Sequence, residues 1–228
     1  MLAVLLPAAG YLITDYYSKR DTQMPQRYFN DSVTLSHKGG KDISDTVWHH
    51  VSNIELINQY GKKVSFADLK GKIIVLDFFF TRCPSICPRL AVAMKKLQNS
   101  FTNNDSIVQF VSISVDPDHD SLPELRKWAK KYNVDGDSWW VLTGNRDSIY
   151  RFAINEMKAN IADQTVDTSF VHTEDFFLLD KDRIIRGWFN GLDSNAQKTL
   201  VRDIPLLMLE KDKKRTFGQF LESLLQNS

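Results

Sequence analysis

The sequence predicts an α/β fold with a sheet that is parallel at its centre and antiparallel at one edge. Three observations predict it. "KIIVLDFFF" is a continuous apolar run rich in β-branched and aromatic residues, the pattern of a strand covered on both faces, and "SIVQFVSISV" reads as a second buried strand. Segments of helical period follow them. "DFFLLD" and "RIIRGWFN" then flank "KD", which reads as a closing β-hairpin.

In order, "IELIN" and "KVSF" flank "QYGK" and predict a first hairpin. "KIIVLDFFF" (72–80) is the first central strand. "RLAVAMKKLQNSF" (89–101) carries Leu90, Val92, Ala93, Met94, Leu97 and Phe101 at helical spacing, with Pro88 in its first turn. "SIVQFVSISV" (106–115) is the second strand. "SLPELRKWAKKY" (121–132) is a helix with Ser121 and Glu124 placed for a capping box. "SWWVLTG" is a third strand and "RDSIYRFAINEM" a further helix. After the closing hairpin, "SNAQKTLVRDIPLLMLEK" is a last helix that Pro205 is expected to kink or split. Strand–helix alternation with added hairpins is a thioredoxin-like arrangement: central parallel strands, an extra N-terminal β-hairpin, and a C-terminal β-hairpin plus helix.

Residues 2–14 are almost wholly apolar, with Pro7 and Gly10 inside the run. The run is shorter than the ~20 residues of a bilayer span and lacks the basic start of a signal peptide. It reads as a partial or short membrane anchor over residues 1–17, with an ordinary buried helix as the plain alternative. Residues 18–45, polar and containing Gly39-Gly40, are expected to be a linker, and residues 46–228 the folded domain. The absence of an Arg- and Ser-rich leader points to a bacterial, extracytoplasmic protein held at the inner membrane by its N-terminus. The formal net charge of +1 offers no cationic excess for phosphates, which argues against a nucleic-acid partner.

The chain has two cysteines, too few for a disulfide scaffold. Both lie in "RCPSICPRL", after the first central strand and before its helix. Ligands of an open α/β sheet bind beyond the carboxyl ends of its strands, so Cys83 and Cys87 stand at the expected edge. A helix N-terminus there favours thiolate over thiol, and thiolate is both the nucleophile and the metal ligand. The spacing allows two ligands on one ion, and it also allows a disulfide. Of the five histidines, His49 and His50 are adjacent and on an extended segment cannot chelate together. His37 lies in the polar arm and His119 in "DPDHD". His172 precedes a strand of the closing hairpin, where a thioredoxin-type oxidoreductase would have its cis-proline. It is therefore the candidate third ligand beside the two sulfurs. A thiol peroxidase would need Pro and Thr where Leu76 and Phe80 stand. The plain reading is an interaction module whose cysteines only pack or bridge.

"FADLKGKIIVLDFFFTRCPSICP", "SISVDPDHDSLPELRKWAKKY", "WWVLTG" and "VHTEDFFLLDKDRIIRGWFNG" resemble, in order, the Sco/SenC family of membrane-anchored copper proteins of cytochrome c oxidase assembly. The acidic residue common in that family's metal loop is Ser85 here. The resemblance implies copper, Cu(I) or Cu(II), held by Cys83, Cys87 and His172. It also implies a metallochaperone function toward the copper-containing subunit of cytochrome c oxidase, with other copper carriers or thiol reductants as further partners. The alternative it allows is a thiol–disulfide oxidoreductase with Cys83 and Cys87 as its catalytic redox pair. Two thiolates and an imidazole suit soft Cu(I), and the same set suits Cu(II) with one added oxygen ligand.

Overall fold

The computed structural model describes residues 23–38, 41–104, 106–159 and 173–210. Its first element departs from the sequence reading. Where residues 18–45 were expected to be a linker, β1 (Asn30–Lys38) pairs antiparallel with β2 (Lys41–Trp48), from Asn30 opposite Trp48 to Lys38 opposite Lys41. The physical reason is local. Val33, Leu35, Ile43 and Val47 alternate with Ser, Thr and Asp on either side of Gly39-Gly40, a strand pattern around a two-residue hairpin signal. Val33, Leu35 and Val47 remain half-exposed or more, so the hairpin forms its own two-stranded sheet outside the core.

β3 (Glu55–Asn58) and β4 (Lys63–Ser65) form the expected hairpin. Its turn is tied by the Asn58 side chain, which accepts from the N–H groups of Tyr60 and Lys62, both at 3.0 Å. β5 (Ile73–Phe79), α1 (Ile86–Ser100), β6 (Val108–Ser114), α2 (Leu122–Lys131) and β7 (Trp139–Thr143) follow. α3 (Arg146–Arg151) continues into one π-turn, Phe152–Glu156, where a single helix was expected. β8 (Asp175–Leu179), β9 (Ile185–Asn190) and α4 (Ser194–Leu209) complete the chain. α4 runs unbroken through Pro205, so the proline does not split it. Ser121 stands at the N-cap of α2 but makes no capping side-chain bond. Glu124 is drawn instead to Lys127 at 2.6 Å, so the expected capping box is absent.

The seven-stranded sheet has the order β4-β3-β7-β6-β5-β8-β9. β5, β6 and β7 are parallel, whereas β3 meets β7 and β8 meets β5 antiparallel. Antiparallel hairpins therefore flank both edges, not one. The sequence showed the pairing within the first hairpin but carried no sign of where it docks.

Strand parity divides the core in two. Ile73, Val75 and Phe79 pack beneath α1, α2 and α4. Ile74, Leu76 and Phe78 pack on the opposite face with Phe66, Ile149 and Phe152. All seven β5 residues are buried, and each large apolar side chain buried in this way contributes about 1.5–3 kcal/mol. Asp77 interrupts the run on the α1 side. That polar break in an apolar strand lies directly before the cysteine loop.

Candidate metal and redox centre

β5 ends at Phe79, and α1 begins at Ile86, three residues earlier than its apolar period suggested. Cys83 therefore precedes the helix and Cys87 occupies its first turn. The N–H of Cys83 donates to the Phe80 carbonyl at 3.2 Å, closing the turn. The N–H of Cys87 donates to Cys83 Sγ, also at 3.2 Å. Both cysteines are free and buried, and both line a recess of about 190 Å³ with Phe80, Pro88 and Trp128.

The two sulfurs differ in acidity. Burial pushes the Cys83 thiol up. Hydrogen bonds from the Cys87 backbone and thiol, and from the N–H groups of Ser85 and Ile86, outweigh that and leave its pKa below the ordinary value. Burial raises Cys87 strongly, and its thiol proton is engaged with Cys83, which raises it further. The unpaired N–H groups of a helix start thus converge on Cys83.

A second loop holds the first in place. Asp120, fully buried, accepts from the Thr81 N–H at 3.0 Å and from the hydroxyls of Thr81 and Ser114. Asp116 accepts from Arg82, with Nε at 3.0 Å. The Val115 N–H bonds the Phe79 carbonyl at 2.9 Å. Sequence reading noted His119 in "DPDHD" but missed this brace. The available signal was position, since the loop follows β6 as the cysteine loop follows β5, at the same sheet edge. Ligand atoms of Asp116, His119 and Asp120 lie within 4.8 Å of one another. Both carboxylates are already committed to Arg82, Thr81 and Ser114, so the cluster serves as a buttress.

Beneath α1, the Trp139 indole N–H donates to Ser112 Oγ at 2.9 Å, and Ser112 donates to Asp77. Burial raises Asp77 from 3.8 to about 7, against the lowering effect of the Ser112 bond. Its charge acts on Cys87 and raises that thiol.

His172 lies outside the described residues, as do residues 1–17 of the expected anchor. β8 runs antiparallel to β5, so its amino end, which begins just after His172 in sequence, lies at the edge that carries the cysteine loop. His49 and His50 take separate partners, as their adjacency required. His49 bridges Asp31 (2.8 Å) and Glu156 (3.1 Å), and His50 bonds the Asp182 carbonyl (2.8 Å). No helix among the described residues is long and apolar enough to cross a membrane.

The SCO1/SenC family profile matches residues 46–208. This chain belongs to the SCO1/SenC family. The SCO1 protein homolog of Bacillus subtilis is 32% identical over 167 residues, covering 73% of this chain and 86% of the relative. A putative copper-binding protein of Stutzerimonas stutzeri is 28% identical over 140 residues, covering 60% and 67%. The solved structure of BsSco, described as a Sco-family cytochrome c oxidase assembly protein with a disulfide switch, is 30% identical. It superposes with a TM-score of 0.62 over 72% of this chain and 96% of its own. The thioredoxin-like α/β fold read from the sequence is the fold of these Sco structures.

Proposed function

We propose that this chain is a copper carrier that delivers or prepares copper for the copper-containing subunit of cytochrome c oxidase. It would work from the extracytoplasmic face, with residues 1–17 as its membrane anchor. The observation that carries the reading is the Cys83–Cys87 pair: two sulfurs brought together at a helix start, with one of them acidified. Two thiolates fit copper better than a hard oxygen-seeking cation, and the recess that the buried cysteines line gives a partner's ligands an approach. His172, three residues before β8 in the sequence, is the third ligand in this reading. Membership of a family with copper-binding and oxidase-assembly relatives supports it.

The test is copper stoichiometry on the reduced protein. Wild type should bind one copper per chain, and Cys83→Ser should abolish tight binding. Binding at wild-type strength in Cys83→Ser would overturn the reading. His172→Ala should weaken Cu(II) sharply and Cu(I) less, because two thiolates alone can hold Cu(I). Unaltered Cu(II) affinity would mean that another residue supplies the third ligand.

One observation favours the second reading, a thiol–disulfide oxidoreductase. A lowered Cys83 beside a raised Cys87 is the division between an attacking and a resolving thiol. The two readings separate on His172, which disulfide exchange does not need.

A further inference from the structure

The recess that holds the two cysteines continues along the molecule. A second hollow, of about 570 Å³, shares Pro88, Lys131 and Tyr132 with it. Together they form a groove bounded by α1, the carboxyl end of α2 and the β9–α4 connection, with Cys83 and Cys87 at one end. Its floor is apolar, from Trp128, Ala93 and Leu192. Val92, 49% exposed, lies along it.

The rim is cationic. Among the described residues, Arg89, Lys96, Lys127 and Lys131 line the groove, and Glu124 is its sole carboxylate. Four cations less one anion give +3 here, against +1 for the whole chain. All four cations are exposed. Among the described residues Lys127 alone of them is ion-paired, to Glu124, and an exposed pair of this kind is weak. Helical spacing aligns the cations. Arg89, Val92, Ala93 and Lys96 recur at one face of α1, and Lys127 and Lys131 are one turn apart on α2. From Cys87 to Lys96 the helix rises about 14 Å, room for about four residues of extended chain.

Resting on the carrier or thiol-exchange reading above, we propose that this groove docks an acidic, cysteine-bearing segment of the partner protein, with its sulfurs delivered to Cys83. An apolar floor gives such a segment a place to bury a side chain. The cationic rim steers it, and steering of this kind fades with salt.

The test uses synthetic peptides containing one intramolecular disulfide flanked by Asp and Glu, by Ser, or by Lys. The Cys83 thiolate attacks the peptide disulfide, forming a mixed disulfide and releasing one peptide thiolate, which takes a proton. Cys87 then gives up its proton and attacks the Cys83 sulfur, releasing the second peptide thiol. Two electrons pass from protein to peptide, with one proton from Cys87 and one from solvent, because Cys83 enters as the thiolate. At about 20 mM salt the acidic peptide should react about tenfold faster than the serine-flanked one, and at about 0.5 M salt the two should converge. Arg89→Gln with Lys96→Gln, both lining only the second hollow, should remove most of that advantage while exchange with hydroxyethyl disulfide stays unchanged. Equal or faster reaction of the Lys-flanked peptide would overturn the proposal. Binding is read separately, with the acidic peptide carrying serines for cysteines. Its amide shift changes should cluster at Val92, Lys96 and Tyr132, and changes elsewhere or none would equally overturn it. This readout needs neither copper nor thiol chemistry. A lost charge preference with intact copper stoichiometry would sink the groove alone, and lost copper with intact docking would sink the carrier reading alone.

Discussion

Asp77→Asn should change the pH dependence of stability. Asp77 is 1% exposed, and burial raises its carboxyl from 3.8 to about 7. A carboxyl whose pKa is higher in the folded than in the unfolded chain keeps its proton longer when folded. The folded state then binds more protons than the unfolded state between about pH 4 and pH 7, and stability falls as pH rises through that window. Each pH unit is worth about 1.4 kcal/mol, so the penalty carried by ionised Asp77 above pH 7 is about 4 kcal/mol. That is a large part of the 5–15 kcal/mol typical of a domain. Asparagine keeps an oxygen for the Ser112 hydroxyl and carries no charge. Relative to wild type, Asp77→Asn should be near neutral at about pH 4 and should gain most of that penalty by about pH 8. The assay is urea unfolding of both proteins, with thiols reduced, across this range. A stability difference that stays flat with pH would refute the reasoning, because it would mean that Asp77 titrates alike in the folded and unfolded chains.

Two further outcomes follow from the loop geometry. Asp120→Ala strands three donors at a fully buried site. At about 1–3 kcal/mol for each buried group left unpaired, it should cost about 3–5 kcal/mol in urea unfolding, with Asp120→Asn recovering part of it; a loss below about 1 kcal/mol would show that the brace is not rigid. Iodoacetamide at neutral pH should label Cys83 well ahead of Cys87, because Cys83 is lowered and Cys87 raised; peptide mapping that finds equal labelling would contradict that division.

What the sequence revealed and what it hid have physical causes. β5 was legible because a strand covered on both faces loses its alternation, and its residues are buried throughout. The edge bearing Cys83 and Cys87 was legible because strand-to-helix order alone sets it. The hairpin of β1 and β2 was missed because Val33, Leu35 and Val47 stay exposed, so polarity was read as a linker. The second antiparallel edge was hidden because docking of β3 on β7 is decided by tertiary contact. So was the Asp120 brace, which joins loops 39 residues apart.

The sharpest loss came from placing the start of α1 at Arg89. With the true start at Ile86, Cys83 is the acceptor at the helix mouth and Cys87 is part of the first turn. The two thiols are then chemically unequal. That inequality links the two readings of the site. Copper held by two thiolates requires Cys87 to lose its proton, and so does closure of the Cys83–Cys87 disulfide. Metal capture releases protons from its ligands, and Cys87, raised by burial, by Cys83 and by the charge on Asp77, holds its proton more tightly than Cys83 does. In either reading Cys83 would make the first contact, and deprotonation of Cys87 would complete it, as a bound copper or as a closed disulfide. An incoming cation favours that deprotonation by attracting the thiolate, whereas an incoming disulfide offers no such charge. Raising the pH should accordingly speed the resolving step of disulfide exchange more than copper capture.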